Sequence, residues 1–199
     1  MSLVTLVSGG IDSTLMALLA KREGLQQHPL FIDYGQLCAE REWNACRSVL
    51  REFRLPEPTR MDLNGFGRTI PCGLTSRRFR VNEDAFLPGR NLLFLVAGAA
   101  YAYSVNARAV AIGLLSERYK IFPDQTAIFL KGSNALLNAS LGTDMKVVAP
   151  LMGLSKGEVL KLARKHGISR TYSCHSGGEH PCGRCISCQE IESAKHRAR

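Results

Sequence analysis

Apolar residues occupy positions 3, 4, 6 and 7, give way to Ser8-Gly9-Gly10, and resume at Ile11, Leu15, Leu18 and Leu19 with helical spacing. This pattern predicts a short buried strand, a loop with almost no side-chain bulk, and a helix. Leu30-Phe31-Ile32 reads as a second strand, closed by the turn chemistry of Asp33-Tyr34-Gly35. A helix is expected over 37–53 and a weaker strand over 59–63. From 64 to 88 the pattern dissolves into Gly, Pro, Arg and polar residues, and a segment of that length is expected to be functional, mobile or partly helical. Pro88-Gly89 opens a strongly helical run to Val105. A strand follows within 107–115, then a loop and helix ending at Gly142, and a short strand over 146–149. Ser155 is an N-cap with Glu158 three residues on, and Gly167 stops that helix. Beyond it the chain is cysteine-rich and shows no core-forming period.

Strands alternating with helices imply an α/β fold, a parallel sheet with helices on both faces. Ligands bind such sheets at the carboxyl ends of the strands, where Ser8, Asp33 and Ser116 all fall. The expected division is an α/β domain over 1–170 and a small cysteine-bearing segment with a basic tail over 171–199. The longest apolar stretch, Leu92 to Tyr103, is too short to cross a bilayer, and no basic leader precedes the first strand. A soluble, cytoplasmic protein without membrane association is expected.

Charge changes the picture little. The chain of 199 residues carries a formal net charge of +9, but its basic residues are dispersed apart from Arg77, Arg78, Arg80 and the tail Lys195, His196, Arg197, Arg199. An anionic small substrate accounts for the excess as well as nucleic acid does, so direct nucleic-acid binding is not expected.

The glycine loop carries more chemistry. Gly9 and Gly10 permit close backbone approach, and the helix behind them aims free N–H groups and a partial positive charge at the loop. That makes an anion site fit for phosphate or pyrophosphate. Ser8 and Ser13 can donate hydrogen bonds, whereas Asp12 suits magnesium or a hydrogen-bonding role. The loop lacks both the lysine of a Walker loop and the GxGxxG of a dinucleotide fold. Near the C-terminus, Cys174, Cys182, Cys185 and Cys188 form C-x7-C-x2-C-x2-C, four thiolates spaced for one tetrahedral zinc. Four filled positions make that zinc structural. His175 and His180 are alternative ligands, and Cys38, Cys46 and Cys72 read as buried thiols.

The full string SGGIDS after a buried strand resembles the PP-loop (N-type) ATP pyrophosphatase superfamily, which uses it to hold ATP and adenylate a substrate. The ordered set "FIDYGQ" at 31–36, "PGRN" at 88–91, "PL…LSKGEV" at 150–159 and "YSCHSGGEHPCGRCISC" at 172–188 is similar to the 7-cyano-7-deazaguanine synthases of the queuosine and archaeosine pathways. The resemblance implies a Rossmann-like, adenine nucleotide alpha hydrolase-like sheet and one structural zinc. It also implies a homodimer and an ATP-dependent C–N ligase that amidates 7-carboxy-7-deazaguanine with ammonia, then dehydrates the amide to a nitrile. In that frame Ser8, Gly9, Gly10, Asp12, Ser13, Asp33, Tyr34, Gly35 and Gln36 hold the nucleotide. Arg90 takes a phosphate or the substrate carboxylate, Asn91 orients a base or carboxamide, Lys156 reaches the phosphates, and Asp124 contacts the purine-like ring.

The chain departs from that family in two places. Gln125 and Thr126 follow Pro123-Asp124 where the family usually has Cys-Arg, and Leu37-Cys38 follow "DYGQ" where it usually has a basic residue and histidine. These departures motivate an alternative: a ligase that joins the deazaguanine carboxylate to another amine, including one on a protein, without forming the nitrile. A tRNA thiolase would share SGGIDS but needs catalytic thiols beside the nucleotide and a separate RNA-binding region. A non-enzymatic ATP-fold module presenting a zinc knuckle to RNA or protein is a further reading, opposed by the intact loop over 8–13.

Overall fold

The structure is a computed structural model, and it describes residues 2–196; Arg197 and Arg199 of the basic tail lie outside the described residues. Five strands, β1 (Ser2–Leu6), β2 (Gln26–Asp33), β3 (Thr59–Asp62), β4 (Ala109–Ala111) and β5 (Lys146–Val148), form one sheet in the order β3-β2-β1-β4-β5. Every pairing is parallel, with Val4 opposite His28 on one side and Val110 on the other. The order reverses at β1, so β2 and β4 diverge from its carboxyl end and open a crevice there.

Both faces of the sheet are covered, which explains why its central strands read as continuous apolar runs rather than alternating ones. Val4, Leu6, Leu30 and Ile32 face one layer, with α4 (Arg90–Ser104) and α5 (Ala127–Leu141). Leu3, Val7 and Phe31 face the other, with α1 (Ile11–Arg22), α2 (Ala39–Glu52) and α6 (Lys156–Lys165). Among the described residues no helix is long and apolar enough to cross a membrane.

Two regions hold more order than the sequence pattern announces, the first of them partly helical as expected. Residues 64–88 begin with a short helix, α3 (Asn64–Thr69), and the remainder folds back on the core. Cys72, Leu74, Ala85 and Leu87 are buried there, and the backbone closes through Gly73 N to Asp84 O (2.7 Å) and Leu37 N to Leu74 O (2.8 Å). Four scattered anchors suffice to order the segment, and no period announces them. The cysteine-rich end also contains a helix, α7 (Ile186–His196), packed on α6. Its inward positions include Ser187 and Ala194, small residues that give almost no hydrophobic signal.

The start of α6 matches its sequence reading. The Ser155 side chain accepts from Glu158 N, and Ser155 N donates to Glu158 Oε2 at 2.8 Å. This reciprocal cap fixes the first turn, from which Lys156 projects. Replacing Ser155 by alanine is expected to cost about 1 kcal/mol of stability, read as a lower denaturant midpoint at unchanged slope.

Candidate active site

The Ser8-Gly9-Gly10 loop joins β1 to α1 at the switch point of the sheet. Gly9 has φ +74°, and a Cβ there would lie 2.5 Å from Glu42 O and 2.6 Å from Cys46 N. Helix α2 therefore packs directly on the loop backbone. On its other side Tyr172 N donates to Gly9 O at 2.9 Å. The loop is closed by its serines: Ser8 N donates to Ser13 Oγ at 3.1 Å, and Gly10 N donates to Ser8 Oγ at 3.3 Å. Gly10 gives α1 no side-chain cap, so the helix start keeps backbone donors for an anion.

Charged groups converge in front of this loop. Lys156 Nζ donates to Asp12 Oδ1 (2.9 Å) and Oδ2 (2.8 Å), across 144 residues of chain. Their side chains keep 12% and 28% of their exposure, so the pair is shielded yet reachable. Arg90 opens α4 after Gly89, and its guanidinium lies over the rings of Tyr34 and Phe94, 5.8 Å from each centroid. Among the described residues Arg90 forms no ion pair, so aromatic faces position its charge without neutralising it. A cavity of about 190 Å³ connects these groups, bounded at one end by Ser8, Gly10, Asp12, Ser13 and Lys156 and elsewhere by Arg90, Phe122 and Gln125.

The other residues singled out from the sequence stand behind this wall. Asp33 is buried, accepting from Arg60 and from Gly35 N (3.1 Å). Tyr34 lies beneath Arg90, and Gln36 accepts from Tyr34 N at 2.9 Å while donating to Glu42 Oε2 at 3.0 Å. Buried Asn91 Nδ2 donates to Asp124 O at 3.3 Å, and Asp124 Oδ1 is buried without a partner. Gln125 Oε1 accepts from Ile121 N (2.8 Å) and Phe122 N (3.0 Å), and the Thr126 hydroxyl caps α5 by accepting from Phe129 N (3.1 Å). Gln125 and Thr126 thus hold a turn and a helix start. Ser116 N donates to Leu154 O at 2.9 Å, in the loop after β4.

Several cavity residues were given no place at the nucleotide from the sequence, although Tyr172, Ser173 and His175 lie in the quoted cysteine motif. Glu42, Tyr172, Ser173, His175 and Glu190 all line the cavity. Burial pushes the Glu42 carboxyl up to about 7, opposed by hydrogen bonds from Gln36 and Cys38 and by the Arg90 charge. Burial likewise lowers His175 to about 4, so its imidazole is neutral. Glu42 sits in an ordinary amphipathic helix, and nothing in its spacing distinguishes it.

The four cysteines of the C-terminal segment come together, with all four sulfurs within 4.8 Å of one another. Cys174 and Cys185 are buried. Burial raises the Cys182 thiol, but hydrogen bonds from the backbone at Arg184 and Cys185 outweigh it and bring the group down to about 6. Burial pushes the Cys185 and Cys188 thiols up, so it is the clustering of four sulfurs that suits a metal that binds thiolates. A tetrahedral ion with metal–sulfur bonds near 2.3 Å needs sulfurs about 3.8 Å apart, so the cluster fits one ion. The segment carrying it is the one that bonds Gly9 and supplies Tyr172, Ser173 and His175 to the cavity.

The family model for "Queuosine biosynthesis protein QueC" matches residues 2–198. The chain belongs to the QueC family. The 7-cyano-7-deazaguanine synthase of Desulfitobacterium hafniense is 34% identical over 197 residues, covering 93% of this chain and 84% of that protein. Its fold is shared more widely. The NMN synthetase of Francisella tularensis aligns over 98% of this chain and 84% of its own with a TM-score of 0.58 at 15% identity. The U34-tRNA thiolase NcsA of Methanococcus maripaludis, solved with its [4Fe-4S] cluster, aligns over 98% of this chain and 65% of its own with a TM-score of 0.56 at 17% identity.

Substituting Gly9 by alanine is expected to destabilise the QueC-family fold by at least about 1–2 kcal/mol from the backbone conformation alone. The clash with α2 adds to this, and thermal unfolding of the purified variant checks it.

Proposed function

We propose that this chain is an ATP-dependent enzyme of 7-deazaguanine synthesis that adenylates the carboxylate of 7-carboxy-7-deazaguanine and lets an amine capture it. The observation that carries the reading is the single cavity in which the uncapped start of α1, Lys156 and Arg90 face one another at the switch point of the sheet. Attack of a carboxylate oxygen on the α-phosphorus concentrates negative charge between two anions. Backbone donors of the glycine loop and the two cations are placed to stabilise that charge and the departing pyrophosphate. Arg90, held on ring faces, can pair with the carboxylate through its guanidinium edge. Magnesium would screen the phosphates when bound, with Asp12 as the oxygen donor at that end of the cavity.

The four-cysteine cluster would hold one zinc in a structural role. Its closed donor set leaves no open position for chemistry. A four-iron cubane would need its cysteine sulfurs spread around the whole cluster, farther apart than 4.8 Å. A homodimer is part of the same reading, and Ile128 (86% exposed) and Leu136 (55%) on α5 offer apolar surface for one.

A second reading, an amide-forming ligase that makes no nitrile, is favoured by one observation. Gln125 and Thr126 are committed to turn and cap hydrogen bonds, and no cysteine lines the cavity among the described residues. The acceptor amine is then ammonia or a group on a larger partner.

Mass spectrometry of products from ATP, 7-carboxy-7-deazaguanine and ammonium separates these readings. AMP with a nitrile product supports the synthase, AMP with an amide that goes no further supports the ligase, and absence of AMP rejects adenylation. Arg90→Ala is expected to lower carboxylate-dependent ATP–pyrophosphate exchange about 10²- to 10³-fold. Elemental analysis should find one zinc per chain, and its removal should weaken ATP binding, because the same segment bonds Gly9.

A further inference from the structure

Amine capture needs a nitrogen lone pair, and at neutral pH ammonia and alkyl amines are mostly protonated. The cavity must therefore supply a base. Both Asp12 oxygens accept from Lys156, and Glu190 lies close enough to that pair to feel both charges. Glu42 stands apart from them. It reaches the cavity from α2, whose backbone at the same residue packs on Gly9. Glu42 thus lines the same cavity as Ser8 and Gly10 of the loop, near enough to Arg90 for the guanidinium charge to act on its carboxylate.

We propose that Glu42 is the general base that takes a proton from the incoming ammonium or amine, an assignment that rests on the adenylation reading. The Glu42 carboxylate accepts one proton, and the freed lone pair forms the C–N bond at the acyl carbon. The C–O bond to AMP breaks with its electron pair on the phosphate oxygen, and the second proton leaves the nitrogen for solvent. The geometry for this is prepared by "DYGQ". Tyr34 N fixes Gln36 by donating to its Oε1, and Gln36 Nε2 then holds Glu42 Oε2 at 3.0 Å. Gln36 is a positioning residue for the base.

The surroundings set the strength of the base. Cys38 just before α2, Cys46 of α2, Asp33 at the end of β2 and Arg90 of α4 act on Glu42 or feel its charge. The cavity's other titratable side chains, Asp12, Lys156, Tyr172, His175 and Glu190, complete the surroundings. Burial outweighs the partners that favour ionisation and brings the carboxyl to about 7, where a base is strong enough to take an ammonium proton yet still ionised. Capture is therefore supported above about pH 7 and falls as Glu42 protonates below it.

Glu42→Gln keeps the side-chain shape and an oxygen for Gln36 while removing the base. Deazaguanine-dependent ATP–pyrophosphate exchange reports activation, and product formation with ammonium or hydroxylamine reports capture. Hydroxylamine is already unprotonated at neutral pH. Relative to exchange, ammonium capture by the variant should fall about 100-fold and hydroxylamine capture less than about threefold. The limb near pH 7 should vanish from the ammonium profile. Equal losses for both nucleophiles, or a limb near pH 7 that survives in the variant, overturns the assignment. A raised KM for the deazaguanine with an unchanged ratio of the two nucleophiles makes Glu42 a recognition group and also overturns it. Wild-type protein without exchange overturns adenylation instead, and the base role with it. If Glu42→Gln does not fold, Glu42→Asp serves: the pH limb should persist while ammonium capture falls about tenfold relative to exchange, and an unchanged ratio overturns the proposal.

Discussion

Three segments, two of them distant in sequence, meet at the backbone of Gly9. Helix α2 presses Glu42 O and Cys46 N into the space a side chain would fill, the segment after α6 bonds the Gly9 carbonyl through Tyr172 N, and α1 starts immediately beyond. The left-handed backbone at this position and the missing Cβ are what let all three approach. The charged cavity depends on that convergence. Glu42 reaches it because α2 sits on the loop, and Ser173 and His175 reach it because the C-terminal segment is tied there.

The cavity handles its charges in two ways. Asp12 and Lys156 neutralise one another, which lowers the cost of shielding each of them from water. Arg90 is treated oppositely: Tyr34 and Phe94 support it through their ring faces, leaving a cation oriented but not satisfied by a carboxylate. A guanidinium without an ion-pair partner among the described residues, beside an uncapped helix start, is an arrangement suited to an anion that arrives from outside. The same positive surroundings oppose protonation of Glu42, but burial wins, and the carboxyl is left near neutrality.

The cysteine cluster and the departures at 125 and 126 bear on the site in different ways. The cluster anchors a segment that contributes to the cavity wall, so a structural ion would act at the site through backbone and packing rather than through chemistry of its own. Gln125 and Thr126 act through hydrogen bonds that secure a turn and the start of α5, so they build the cavity wall.

By itself the sequence determined the parallel α/β fold, the strand–glycine–helix loop, the cap at Ser155 and the grouping of four cysteines. Each is written in local spacing: buried strands as apolar runs, caps at fixed offsets, four cysteines within fifteen residues. Lys156 and Arg90 were also legible, because each lies in a motif near a helix start. Only the tertiary structure paired Lys156 with Asp12 across 144 residues, moved Asp33, Gln36 and Asn91 behind the cavity wall, and brought Glu42 through it. Contacts of that kind arise from the packing of whole helices on the sheet. No short-range pattern encodes them, since the same glutamate on the same helix would be a solvated surface charge if α2 did not rest on Gly9.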